Sequence, residues 1–135
     1  MSRILGVDYG ERRIGLALSD SLKITAQPLN YIDRQITSDY ISTILDIAKD
    51  KDVHTIVVGV PYNLKGQNSK QTEIVNRFIN ELRAIGKIKV IPIDERLSSI
   101  AAEKSLQFQG VKTGHEKGRV DETAAALLLQ EYLDS

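Results

Sequence analysis

The chain has 135 residues with 18 Lys plus Arg balancing 18 Asp plus Glu, so no whole-molecule field draws it onto nucleic acid or an anionic membrane. The absence of cysteine excludes thiolate zinc sites, disulfide frameworks and cysteine nucleophiles, and fits a reducing cytoplasm. One soluble domain over residues 1–135 is expected, because no apolar run reaches membrane-spanning length and residues 1–7 are too short for a secretory signal.

In chain order, residues 3–9 are apolar and extended, residues 10–12 read as a tight turn and residues 13–19 alternate polar with apolar, which predicts a hairpin. Residues 24–32 form a third extended segment, and Pro28 within it points to an edge strand, where a missing N–H does no harm. From Ser38 the period becomes helical through Ile41, Ile44, Leu45 and Ala48, with Thr37 or Ser38 as N-cap.

Residues 54–60 are a continuous apolar strand suited to the centre of a sheet, followed by a polar loop over 61–68. Residues 69–85 carry Ile74, Val75, Phe78, Leu82 and Ile85 on one helical stripe, and Gly86 is placed to stop that helix. A fifth strand is expected over 87–93, a helix over 95–107, a glycine-punctuated loop over 108–119 and a last helix over 122–133. The order β-β-β-α-β-α-β-α-α combines an antiparallel meander with crossover units, so the expected fold is α/β with a mixed five-stranded sheet and helices on both faces.

Three acids fall at informative places. Asp8 ends an apolar strand, where an unpaired charge is costly; Glu95 opens a helix after the fifth strand; Asp121 precedes the apolar stretch Ala124-Ala125-Ala126-Leu127-Leu128-Leu129. Each has an ordinary explanation, Asp8 as a turn former and the other two as acids favoured at helix starts, Asp121 as an N-cap. Their joint placement after the first strand, after the fifth and at the last helix suggests one cluster. Converging carboxylates repel unless a hard divalent cation resolves them, so magnesium or manganese is implied. Two such ions activate water and stabilise the attacking and leaving oxygens of a phosphodiester.

The segments Gly6-Val7-Asp8-Tyr9-Gly10, Arg13-Ile14-Gly15-Leu16-Ala17-Leu18-Ser19, Gly59-Val60-Pro61, Asp94-Glu95-Arg96-Leu97-Ser98 and Gly118-Arg119-Val120-Asp121-Glu122-Thr123-Ala124-Ala125, in this order and spacing, resemble the YqgF/RuvX family of the RNase H-like superfamily. The resemblance runs nearly end to end. It implies a bacterial metal-dependent nuclease that matures the 5′ end of 16S ribosomal RNA, with resolution of Holliday junctions as the alternative, and metal-binding catalytic acids at Asp8, Glu95 and Asp121. The loop Asn63-Leu64-Lys65-Gly66-Gln67-Asn68 departs from the family's usual Asn-x-Asp-Gly, which leaves its role open.

Arg96, Lys117 and Arg119 are the expected phosphate contacts, and Arg12 and Arg13 add basic charge near Asp8. His54 and His115 are isolated and are assigned no role. The expected partners are structured RNA or branched DNA, with pre-ribosomal particles as the setting and no membrane; the state is a monomer or homodimer. A nucleotide-binding phosphotransferase related to sugar kinases is disfavoured by length, because those proteins close two such domains on their ligand. A non-catalytic RNA-binding module that keeps the fold is the other rival.

Overall fold

The computed structural model describes residues 2–62, 65–95 and 114–135, the last stretch as backbone alone up to residue 122. The expected helix over 95–107 beyond Glu95, the loop over 108–113, Arg96, and the side chains of Lys117, Arg119 and Asp121 therefore lie outside the described residues.

The described elements are β1 (Arg3–Tyr9), β2 (Arg13–Ser19), β3 (Ala26–Asp33), α1 (Tyr40–Asp50), β4 (Val53–Val60), α2 (Lys70–Gly86), β5 (Lys89–Asp94) and α3 (Gly114–Asp134). They build the expected mixed sheet, ordered β3-β2-β1-β4-β5. β1 sits at its centre, antiparallel to β2 and parallel to β4, and β4 is parallel to β5. β3 is an edge strand, where Pro28 is accommodated opposite Ala17.

Alternation along β1 sorts the two faces. Leu5, Val7 and Tyr9 join Ile14, Leu16, Ile44, Ile56, Val58, Phe78 and Leu82 in the larger core under α1 and α2. Ile4, Ala17 and Val57 pack instead against Ala125 and Leu129 of α3. Each fully buried aliphatic side chain stabilises by roughly 1.5–3 kcal/mol, so the two-sided burial of β1 and β4 explains their near-continuous apolar sequence.

Small residues let α3 approach. A Cβ on Gly6 would lie 2.9 Å from the Leu129 Cβ and 3.0 Å from the Ala125 carbonyl oxygen, so the helix rests directly on the β1 backbone. The helix crosses the sheet obliquely: Gln130, near its C-terminus, takes the Ala26 N–H at 2.9 Å and donates to the Ile24 carbonyl, while Ala124 and Leu128 reach Ile93 of β5. Its N-terminal half thus points toward the C-terminal ends of β1, β4 and β5.

Several boundaries differ from the sequence reading for local reasons. β3 starts at Ala26 rather than residue 24, because the Asp20 carboxylate takes the Ile24 and Thr25 N–H groups at 2.7 and 3.0 Å and commits them to a turn. Neither Thr37 nor Ser38 caps α1; the Thr37 N–H is tied to the Asp33 carbonyl, and Asp39 caps through Ser42 N at 3.4 Å. Gly86 does not stop α2. It is the helix's last residue, where any Cβ would run into Leu45 Cδ2, and the left-handed residue is Lys87 at φ 50°. That cap delays β5 to Lys89.

The largest correction concerns α3, which begins at Gly114 and absorbs the second half of the expected 108–119 loop. Gly114 and Gly118 each cost about 1 kcal/mol relative to alanine in a helix interior, and the packing of the same helix on the sheet through Ala125, Leu128 and Leu129 offsets that penalty. Asp121 consequently lies about two turns inside the helix and is not its N-cap.

Candidate metal and phosphodiester site

Asp8 is the sole buried charged side chain among the described residues, at 4% exposure. Strand parity places it on the α3 face, beside Gly6 and opposite in direction to Val7 and Tyr9. On β2 its partner is Gly15, and on β4 the parallel register that pairs Val7 with Val58 brings Gly59 alongside it. The carboxylate is therefore flanked on both neighbouring strands by residues without side chains.

Gly59 also connects Asp8 to Glu95. It is paired with Ile93 on β5, and Glu95 follows β5 directly. The Glu95 side chain folds back over Gly59 so closely that a Cβ there would meet its Oε1 at 2.5 Å, its Cγ at 3.1 Å and its Cδ at 3.2 Å. A β4 residue with any side chain would stand between the ends of β1 and β5. A glycine inside a strand often marks close approach by another group, and here that group is a carboxylate.

The third acid is placed by the backbone. Asp121 is one helical turn before Ala125, which lies over Gly6, and α3 runs from Gly6 toward the end of β1 that carries Asp8. Residues four apart share one helix face, so position 121 falls on the Ala125 face at the Asp8 end. The described side chains alone hold no group of three metal-ligating residues; the described pair is Asp8 and Glu95.

The turn after β1 is clamped from the other face. Arg34 donates to the Gly10 and Glu11 carbonyl oxygens at 2.9 and 2.8 Å, with its guanidinium 4.7 Å from the Tyr9 ring centroid and 5.1 Å from that of Tyr40. Tyr9 stacks on Phe78 at 4.1 Å and shares a 2.9 Å hydroxyl hydrogen bond with Tyr40. Burial first, then that hydrogen bond, push the Tyr9 phenol above its ordinary range, against the pull of the Arg34 cation. On the β4 side, Ser69 and Thr72 form a capping box, and Thr72 Oγ1 donates to the Pro61 carbonyl, anchoring the strand's exit.

The sequence reading expects one cluster of Asp8, Glu95 and Asp121; among the described residues, Asp8 lies beside Gly59 by strand register and the Glu95 side chain lies over that same glycine. The sequence reading missed Gly15, Gly59 and Arg34. A glycine at matching parity in each strand beside an acid-bearing strand was the available signal for the first two. His54 lies at the start of β4, 3.0 Å from the Asp52 carboxylate and at the far end of that strand from Glu95.

A mixed sheet in this order, with α3 laid across the hairpin face, defines an RNase H-like fold. Among solved structures, RuvC of T. thermophilus in complex with a Holliday junction substrate superposes with a TM-score of 0.60 at 14% identity, covering 98% of this chain and 94% of that one. The fowlpox virus Holliday junction resolvase superposes at 0.53 and 14% identity, covering 98% of each.

Residues 2–135 match the family described as "RuvX: Holliday junction resolvase", and the chain belongs to that family. Relatives named "Putative pre-16S rRNA nuclease" include one from Endomicrobium trichonymphae, 40% identical over 99% of this chain and 96% of the relative. Another, from Syntrophus aciditrophicus, is 44% identical over 98% and 89%. Among the described residues no helix is long and apolar enough to cross a membrane.

Proposed function

We propose that this protein is a divalent-metal-dependent nuclease that hydrolyses nucleic-acid phosphodiesters, with the 5′ end of precursor 16S ribosomal RNA as its substrate and the cytoplasm as its place of action. The observation that carries the reading is the convergence of the Asp8 and Glu95 positions across a glycine that a Cβ would fill. The names of the relatives support the RNA assignment.

The residues fit a hard metal ion. Asp8 and Glu95 offer oxygen donors only, on a floor left clear by Gly15 and Gly59, and Asp121 would complete the set from α3. Magnesium or manganese, as two ions, would be held there, and when bound supplies an activated water and charge stabilisation at the phosphoryl group. The chain's own tasks are then positional. Buried strands fix Asp8, Gly59 sets where the Glu95 carboxylate rests, and Arg96, Lys117 and Arg119 are proposed to hold the backbone phosphates. No histidine or serine nucleophile is required.

Branched DNA is the second reading, favoured by the likeness to a resolvase fold seen with a Holliday junction. Cleavage of precursor rRNA, single strands and four-way junctions, each with magnesium and with manganese, separates the two. The wild-type protein is expected to cut precursor rRNA, and Asp8→Asn, Glu95→Gln and Asp121→Asn each to lower the rate by at least about 100-fold, the scale on which even outer-shell partners of a metal count. Failure of the wild type on every substrate with both metals would leave a non-catalytic binding module.

A further inference from the structure

Ile14, Leu16 and Leu18 of β2 enter the core beneath α1 and α2, so Arg13, Gly15, Ala17 and Ser19 stand on the opposite face, the one that carries Asp8. Gly15 is paired with Asp8, and Arg13 lies two residues along β2 from Gly15, beside the turn that follows β1. Diagonal neighbours of this kind are about 7–8 Å apart, within the reach of an arginine side chain.

Three arginines surround this turn, and two are engaged. Arg34 binds the Gly10 and Glu11 carbonyls on the far face. Arg12 pairs with Asp33 at 3.6 Å. Asp33 is the cross-strand partner of Arg13, but its other carboxylate oxygen takes the Gln35 N–H at 3.0 Å. The Arg13 guanidinium is left without a hydrogen bond or ion pair among the described residues, on a half-buried stem aligned with the catalytic face. A guanidinium with no partner among the described residues, beside an acid site, matches phosphate in charge and in fork geometry.

We infer that Arg13 is a phosphate-binding residue that holds the nucleic-acid backbone on the β2 side of the Asp8 carboxylate. The inference rests on the nuclease reading above and adds a contact from the hairpin to those proposed from α3 and the segment after β5. It places a cation on the β2 side of the acids, where the substrate backbone would pass.

The test is equilibrium binding of precursor rRNA and of a four-way junction in chelator, over a series of salt concentrations, for wild type, Arg13→Gln, Arg13→Lys and Lys49→Gln. Lys49 belongs to the last turn of α1, on the other face. Arg13→Gln is expected to weaken binding and to make the log–log salt slope shallower by about 0.7–0.9, one phosphate contact. Arg13→Lys should keep most of the slope and Lys49→Gln all of it, with melting temperatures unchanged throughout. An Arg13→Gln slope equal to wild type overturns the inference and leaves the nuclease reading standing. Wild-type protein that binds neither substrate in chelator and cuts neither with magnesium or manganese overturns both.

Discussion

Replacing Gly59 by alanine probes the junction between the two described acids with a single methyl group. The added Cβ would sit 2.5 Å from Glu95 Oε1, a separation that real Cβ contacts do not show, so the oxygen must retreat by about 0.5 Å at least and by about 0.9 Å to regain ordinary contact at 3.4 Å. Functional constellations tolerate displacements of about 0.5 Å, and a 1 Å misplacement costs on the order of 100-fold in rate. Stability should respond far less. The obstructing group is the end of a flexible side chain, so a modest overpacking cost is offset by the alanine's lower unfolded-state entropy, about 0.4–1 kcal/mol. Calorimetric titration with manganese, cleavage rate and melting temperature are measured together: a loss of metal affinity and about 100-fold in kcat is expected, with a melting shift of only a few degrees. In a Glu95→Ala background the substitution should have no further effect on metal affinity. Undiminished manganese affinity and cleavage in Gly59→Ala would refute the reasoning.

Gly6→Ala should act on stability instead, because its Cβ would press on the Leu129 Cβ and the Ala125 carbonyl, neither of which can swing aside. A destabilisation of about 1–3 kcal/mol by urea unfolding is expected, and a neutral result would mean that α3 is not seated on β1 as described. The pH dependence follows from Tyr9, whose phenol is raised in the folded state by burial and by its bond to Tyr40. The folded protein holds that proton more tightly than the unfolded chain, so its contribution to stability is complete below the ordinary tyrosine value of 10.0 and is lost as pH rises through the higher folded value. Denaturation midpoints should therefore fall above about pH 10, and fall less in Tyr9→Phe; equal slopes would place Tyr9 in solvent.

The strands and α2 were legible in the sequence because their apolar periods are long and uninterrupted, and Pro28 marked the edge strand by its missing N–H. The boundaries that moved were decided by backbone N–H groups donating to the Asp20 and Asp39 carboxylates, and by the close approach of Leu45 to Gly86, none of which leaves a periodic trace. The start of α3 was hidden by two glycines whose helix penalty is offset by the packing of the rest of the helix on the sheet. For the site, Asp8 and Glu95 stood out as acids at the ends of apolar strands. What joins them is the register across β4, and register depends on which residues pair in space; the glycines at 15 and 59 acquire meaning only once the strands are laid side by side. Arg13 became distinctive only when its neighbours Arg12 and Arg34 were seen to be engaged elsewhere.

The most direct test of the account is anomalous diffraction from crystals soaked in manganese at a concentration that supports cleavage. Manganese bonded to carboxylate oxygens of both Asp8 and Glu95, on the α3 side of Gly59, is the predicted result. An active protein whose crystals carry no anomalous peak at those carboxylates, or carry it only elsewhere, would contradict the claim that these acids form the metal site.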